Sequence, residues 1–257
     1  MAIDLEQLAR RQLAEYDRRT PGTAFAGGLS LTIEEAYRLQ YLVTGLRIAR
    51  GEAVIGYKVG CTSPVIRNRL NVEHPVFGRL FESESHASGI RLPVTRFSHL
   101  AIEGELAVTL ASDLSSNVDR AKSLSAIGSV FPVIELHNLV FCAGRPSVEE
   151  LIANNAIHAG FVRGDTDSDG LNVESASLKI AVDGEEIAAV AGPELVQTIV
   201  DSLGWLSGEL RQHGLSLEAG QTVLCGSVAD LFPVEDCRIQ VTTDCFSQVE
   251  CSIGNET

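Results

Sequence analysis

An α+β fold with a largely β core is predicted from three observations. Two stretches with helical-period apolar residues come first, within residues 3–51. Many short apolar runs follow, bounded by glycine, proline or Asp-Gly, with only a few helical stretches among them. That order lacks the one-for-one alternation of strand and helix that a doubly wound sheet requires. The chain has 257 residues and is 45% hydrophobic, enough for one large core with a smaller appendage.

Residues 3–19 read as an amphipathic helix carrying Ile3, Leu5, Leu8, Leu13 and Tyr16, ended by Thr20-Pro21-Gly22. Thr32 opens a second helix, with Glu35 three residues on completing a capping-box signature and Gly51 as its stop. Residues 53–60 form a short strand bounded by glycines, with Lys58 as its only charge. Such a lysine is either an edge residue reaching for water or a buried amine with a chemical role. Ser63-Pro64 starts a short helix to about Leu70. Residues 71–84 show little periodicity and read as a loop able to close over a site. After the strand that begins near His99 come a polar loop over 112–119, a helix over 121–127 and a strand over 130–136. Ser147 and Glu150 cap a helix to about Asn155, and a strand spans 158–163. Residues 165–169 are acid-rich but lack EF-hand spacing, so they read as a polar turn. Asp183-Gly184 marks a hairpin within 178–187. Residues 193–213 are the longest helix, and strands over 220–227, 238–243 and 247–253 finish the chain.

The chemistry concentrates in the strand that begins near His99. Ile102, Leu106, Val108 and Leu110 point one way, with Gly104 between them, while Glu103, Glu105, Ala107 and Thr109 point the other. Side chains two residues apart on a strand lie roughly 7 Å apart on one face. Two readings are open: one solvated face, or two carboxylates held together for a hard divalent cation. Glu135 is a further lone acid in an apolar strand, and three carboxylates plus waters would fill a Mg²⁺ or Mn²⁺ octahedron. His137 is either a partner of such a ligand or a hydrogen-bonded structural residue.

The net charge of −14 gives no basic surface for nucleic acid or an anionic membrane. No apolar run reaches the length of a membrane span. The start of the chain carries Asp4 and Glu6 without an apolar core, so no signal peptide is expected. The six cysteines, Cys61, Cys142, Cys225, Cys237, Cys245 and Cys251, include no C-x-x-C pair. They are expected to be reduced core residues of a cytoplasmic protein. Dinucleotide-binding, P-loop and serine-hydrolase glycine motifs do not occur.

The ordered series Gly56-Tyr57-Lys58-Val59-Gly60-Cys61-Thr62-Ser63, Phe77-Gly78-Arg79-Leu80, Glu103-Gly104-Glu105, Pro132-Val133-Ile134-Glu135, Ala153-Asn154-Asn155-Ala156 and Gly226-Ser227 resembles the 2-keto-4-pentenoate hydratase/4-oxalocrotonate decarboxylase family, within the fumarylacetoacetate hydrolase superfamily. The resemblance runs from about residue 5 to the end. It implies a helical N-terminal region, residues 1–75, on a mixed β-roll of the fumarylacetoacetate hydrolase type, residues 76–257. It implies Mg²⁺ or Mn²⁺ bound by Glu103, Glu105 and Glu135, with Lys58 beside the cation and its pKa pushed down by burial and by the metal. Gly226, Ser227, Val76 and Phe77 fall at its substrate-binding positions; Ser227 also reads as a plain turn serine. The implied substrate is a small 2-oxo or 2-hydroxydienoic acid of aromatic catabolism. The implied reaction is hydration, with decarboxylation, C–C hydrolysis or a non-catalytic metal- and keto-acid-binding subunit as alternatives. The resemblance also implies a homo-oligomer, or association with a related hydratase or decarboxylase subunit.

Two positions depart from the family pattern. Val76 stands where its hydratases usually carry Asp, and Asn154-Asn155-Ala156-Ile157-His158 replaces a serine-bearing run. His158 is either a substitute acid–base group or a structural residue at the start of a strand.

Overall fold

The computed structural model describes residues 3–20, 22–115, 118–141, 146–165, 176–227 and 229–255. Pro21, Cys142 and most of the acid-rich turn at 165–169 lie outside the described residues.

Helix α1 (Leu5–Asp17) opens on Asp4, whose side chain accepts the Gln7 N–H at 3.0 Å. Helix α2 (Ile33–Ala49) has the expected reciprocal cap. Thr32 Oγ1 accepts the Glu35 N–H at 3.1 Å, and Glu35 accepts the Thr32 N–H at 2.8 Å. Strand β1 (Val54–Gly60) and helix α3 (Pro64–Leu70) follow as the sequence predicts.

The next segment differs from expectation. β2 (Val76–Phe81) is a strand with every residue buried, antiparallel to β1, so this part of 71–84 is no closing loop. A strand covered on both faces carries no polar alternation, which is why periodicity missed it. The short β3 (Ser85–Ala87) and β4 (Ile90–Pro93) lead to β5 (Leu100–Leu110), α4 (Arg120–Ser125), β6 (Ile127–Asn138), α5 (Val148–Ala153) and β7 (His158–Arg163). β8 (Ser177–Val182) and β9 (Glu185–Ala191) form the Asp183-Gly184 hairpin, with both turn residues at positive φ. α6 (Pro193–Gln212), β10 (Thr222–Leu224), β11 (Phe232–Pro233), β12 (Cys237–Thr243) and β13 (Val249–Gly254) complete the chain.

The strands make two mixed sheets. The larger runs β2-β1-β10-β5-β6-β7-β3, with β11 added beside β5; the smaller runs β4-β13-β12-β8-β9. β1, assigned from the sequence to the helical region, is hydrogen-bonded into the larger sheet between β2 and β10. The sheets meet face to face at Gly104. A Cβ there would lie within 3 Å of Ile180 and Val241 of the smaller sheet. The apolar face of β5 is therefore core, so its other face is the one free to carry the glutamates.

Buried polar side chains fasten the helices to the larger sheet and to one another. The Gln40 amide of α2 donates to the Phe77 carbonyl at 3.0 Å and the Ile152 carbonyl at 2.8 Å. Gln12 of α1 donates to Ala153 O at 2.6 Å. Arg47 lies 3.5 Å over the Phe81 ring and pairs with Glu84 at 2.8 Å and with Glu52. Among the described residues no helix is long and apolar enough to cross a membrane. Cys225 and Cys251 are buried free thiols, and burial pushes the Cys251 thiol up to about 12.

Burial alone would raise the pKa of Glu52, but hydrogen bonds from Arg47, Arg50 and Ser83 hold it down at about 2. A depressed carboxylate stabilises the fold fully above its unfolded value, near 4.5 here, and loses that contribution as pH falls toward 2. Glu52→Gln is expected to flatten the acid limb of thermal stability between pH 4.5 and 2. Melting curves across that window would check it; parallel wild-type and variant curves would contradict it.

A candidate metal centre in the larger sheet

Glu103 lies directly opposite Glu135 in the antiparallel β5–β6 ladder, and Lys58 of β1 is in register with Leu224 of β10, itself opposite Ala107. Strand parity therefore brings Glu103, Glu105, Glu135, His137 and Lys58 to one face. The i, i+2 reading of the sequence is correct in this respect.

Glu135 has no solvent exposure. Its Oε1 lies 3.2 Å from Lys58 Nζ and 2.7 Å from His158 Nδ1. His137 Nε2 is 3.2 Å from Glu103 Oε2 and 3.4 Å from Glu135 Oε2, without the alignment of a hydrogen bond. One donor atom each from Glu103, Glu135 and His137 converge within 4.8 Å of one another. Glu105 stands beside this triple rather than within it. Its Oε2 accepts the Gly226 N–H, and its Oε1 is buried with no hydrogen-bond partner.

These residues fit a divalent cation. Glu135 Oε2 and Glu105 Oε1 are buried and unsatisfied, and buried oxygens in that state cost free energy until something binds them. Hard oxygen donors with one imidazole suit Mg²⁺ or Mn²⁺. The electrostatics agree. Burial and the neighbouring Glu135 and Glu103 push the Glu105 carboxyl well up. Burial opposes ionisation of Glu135 as well, but His137, Lys58 and His158 outweigh it and hold its pKa below the usual range. Lys58 is the counter-charge to these carboxylates. Burial would lower its pKa, yet Glu135, Glu103 and Glu105 together raise it, so it is held as an ammonium.

A cavity of about 530 Å³ opens beside these groups. Lys58, Arg69, Glu103, His137 and Asp230 are its basic and acidic lining residues, and Val76, Leu151, Ile157 and Phe232 line an apolar side. Gly226 and Ser227 also line it, with the Gly226 N–H and the Ser227 hydroxyl already committed. The Gly226 N–H serves Glu105, and the Ser227 hydroxyl donates to Gly104 O at 3.2 Å. Phe77 is not part of this site. It follows Val76 on a strand, so it faces the opposite way and stacks on Tyr37 at 4.6 Å. His158 does not line the cavity either; it lies behind Glu135 and reaches the site only through that carboxylate.

Sequence reading missed the turn that shapes the cavity wall. Asn155, Ala156 and Ile157 all have positive φ, between 51° and 56°, immediately before His158. Each such non-glycine residue costs on the order of 1 kcal/mol. The Asn155 side chain holds the turn to β2, accepting the Arg79 N–H at 2.7 Å and donating to Arg79 O at 2.9 Å. Gly78 permits the approach, since a Cβ there would meet Asn155 O at 2.4 Å. The Asn-Asn pair was the available signal, because asparagine tolerates this conformation best after glycine.

No model of a protein family matches the chain. Among characterised proteins it is 31% identical to 2-hydroxyhexa-2,4-dienoate hydratase of Comamonas testosteroni over 208 residues, 79% of each chain. It is 26% identical to 4-oxalocrotonate decarboxylase of a Pseudomonas species over 227 residues, 88% of each. Among solved structures, 4-oxalocrotonate decarboxylase from Pseudomonas putida G7, complexed with magnesium and adipate, superposes with a TM-score of 0.90 at 22% identity over 97% of both chains. Fumarylpyruvate hydrolase from Pseudomonas aeruginosa, in complex with Mn²⁺ and pyruvate, superposes at 0.60 and 14% identity over 78% of this chain and 89% of its own. The predicted roll with N-terminal helices is thus the observed fold.

Removing the ammonium while keeping the carboxylates should expose the charge imbalance. Lys58→Met is expected to destabilise the EDTA-treated protein by about 3–5 kcal/mol, the usual cost of breaking a buried ion pair. Adding Mg²⁺ should then raise its melting temperature more than that of the wild type. Equal Mg²⁺ shifts in thermal denaturation would count against a cation site among these groups.

Proposed function

The chain belongs to the 2-keto-4-pentenoate hydratase/4-oxalocrotonate decarboxylase family, and from that premise we propose that it is a Mg²⁺- or Mn²⁺-dependent lyase acting on a small 2-oxo or 2-hydroxydienoic acid, with hydration as its reaction. The observation that carries this reading is the convergence of Glu103, Glu135 and His137, with orphaned carboxylate oxygens beside them, at the wall of a cavity sized for a small acid.

Glu103 and Glu135 would hold the cation, with Glu105 and His137 as the adjoining donors. Bound there, the cation supplies Lewis-acid stabilisation of negative charge developing at the C2 oxygen of the acid. Lys58 holds a proton at Nζ on the cavity wall, 3.2 Å from Glu135, where it meets the carboxylate end of the acid or delivers that proton. Val76, Leu151, Ile157 and Phe232 line the side that receives the hydrocarbon end. His158 touches Glu135 and not the cavity, so its part is to fix that carboxylate in place.

Decarboxylation of a 2-oxo-enedioate is the second reading, and a specific residue favours it. Val76 carries no proton, so the cavity lacks a water-activating group at that position. Assembly with a second copy or with a related subunit remains part of the proposal.

The test is an NMR product assay with 2-hydroxypenta-2,4-dienoate and with a 2-oxo-enedioate, each with Mg²⁺ and with EDTA. Mg²⁺-dependent formation of the 4-hydroxy-2-oxo acid is expected, falling at least about tenfold in Glu103→Gln. Mg²⁺-dependent loss of CO₂ from the diacid alone would replace hydration with the second reading. Neither product would overturn both.

A further inference from the structure

Three lysine or arginine side chains are buried among the described residues: Arg47, Lys58 and Arg79. Arg47 is paired with Glu84 and Glu52, and Lys58 with Glu135. Arg79 is 5% exposed and has no carboxylate partner among the described residues. Its guanidinium donates through Nη1 to a neutral oxygen, Gln40 Oε1. Burial pulls its pKa down, and the groups near enough to oppose that are the hydroxyls of Tyr57, Tyr41 and Tyr37. A guanidinium offers five donors in a planar fork, so most of this one's capacity is left for another acceptor.

Arg79 is also not sealed in. It lines a cavity of about 490 Å³ between α2, β2 and the C-terminal end of α6, away from the metal centre. Aromatic rings make the rest of the wall. Tyr37 stacks on Phe77 and lies 4.6 Å from the His213 ring, and Tyr41, 54% exposed, places its ring 5.8 Å from the guanidinium. Exposed Arg38 adds positive charge at the mouth. Three acids are nearby. Glu35 is tied to the Thr32 N–H, Glu209 lies 3.3 Å from His213, and Glu34 is at the rim without pairing to Arg79.

We infer that this groove is a second ligand site, which takes a small free carboxylic acid with a planar aromatic or conjugated body. The carboxylate forks onto Arg79, as guanidinium geometry favours, and the body lies against Tyr41 and His213. At 5% exposure the guanidinium is reached through the cavity, which has room for a slim free acid. The site lies against the active cavity's framework, because the Arg79 backbone holds the left-handed turn through Asn155.

The test is calorimetric titration of benzoate into the full chain, as wild type, Arg79→Met, Tyr41→Ala and Glu103→Gln, with benzamide as the uncharged control. Wild type and Glu103→Gln should bind benzoate alike. Arg79→Met should bind at least about tenfold more weakly, the scale of one charged hydrogen bond, Tyr41→Ala a few-fold more weakly, and benzamide should give no binding. No benzoate binding to the wild type, equal affinity across all variants, or loss only in Glu103→Gln would overturn the proposal; the last would place the acid at the metal centre. Should Arg79→Met fail to fold, a crystal of the wild type with 4-bromobenzoate decides. Bromine anomalous density in the groove supports the site, and density elsewhere, none, or a neighbouring chain filling the groove overturns it.

Discussion

The buried ion pair between Lys58 and Glu135 binds β1 to β6 across two intervening strands of the larger sheet. A carboxylate without solvent exposure is tolerable only when charge and hydrogen bonds meet it on every side. Here Lys58 and His158 meet its Oε1, while His137 lies 3.4 Å from its Oε2 without the alignment of a hydrogen bond. Glu103 and Glu135 share one ammonium, and Glu135 Oε2 and Glu105 Oε1 lack hydrogen-bond partners. The sheet thus holds an excess of negative charge that a divalent cation would neutralise. The same arrangement makes the strand register consequential, because a one-residue slip of β5 or β6 would carry the glutamates into the interface with the smaller sheet.

The helices and the left-handed turn serve that register from outside. Gln40 spans from α2 to β2 and α5, and Asn155 clasps β2 by both its backbone groups. Ala156 and Ile157 then stand in the wall of the cavity, and His158 arrives at Glu135. Strain in three successive residues is maintained because these contacts over-determine it.

What could be read from the sequence divides along physical lines. Local signals were reliable: the Thr32–Glu35 cap, the Asp183-Gly184 hairpin and the alternation around Gly104 all have the expected structure. The shared face of Glu103 and Glu105 followed from strand parity alone, and the same parity argues against placing both Val76 and Phe77 in one cavity. Non-local matters were not legible. β2 is buried on both faces and so shows no period, and β3, β4 and β11 are defined by partners distant in sequence. Nothing local states that Arg47 would find two carboxylates and Arg79, among the described residues, none. The rise in the Lys58 pKa likewise depends on glutamates that only the folded sheet brings near.

On the proposed function, the carboxylates of β5 and β6 form a cation site that a 2-oxo acid can reach. The most direct measurement is an electron paramagnetic resonance titration of the metal-free protein with Mn²⁺, followed by pyruvate. Loss of the free-ion signal up to about one Mn²⁺ per chain is expected, with a changed bound-ion spectrum when pyruvate is added. Retention of the free-ion signal at stoichiometric protein, or a bound spectrum indifferent to pyruvate, would contradict it.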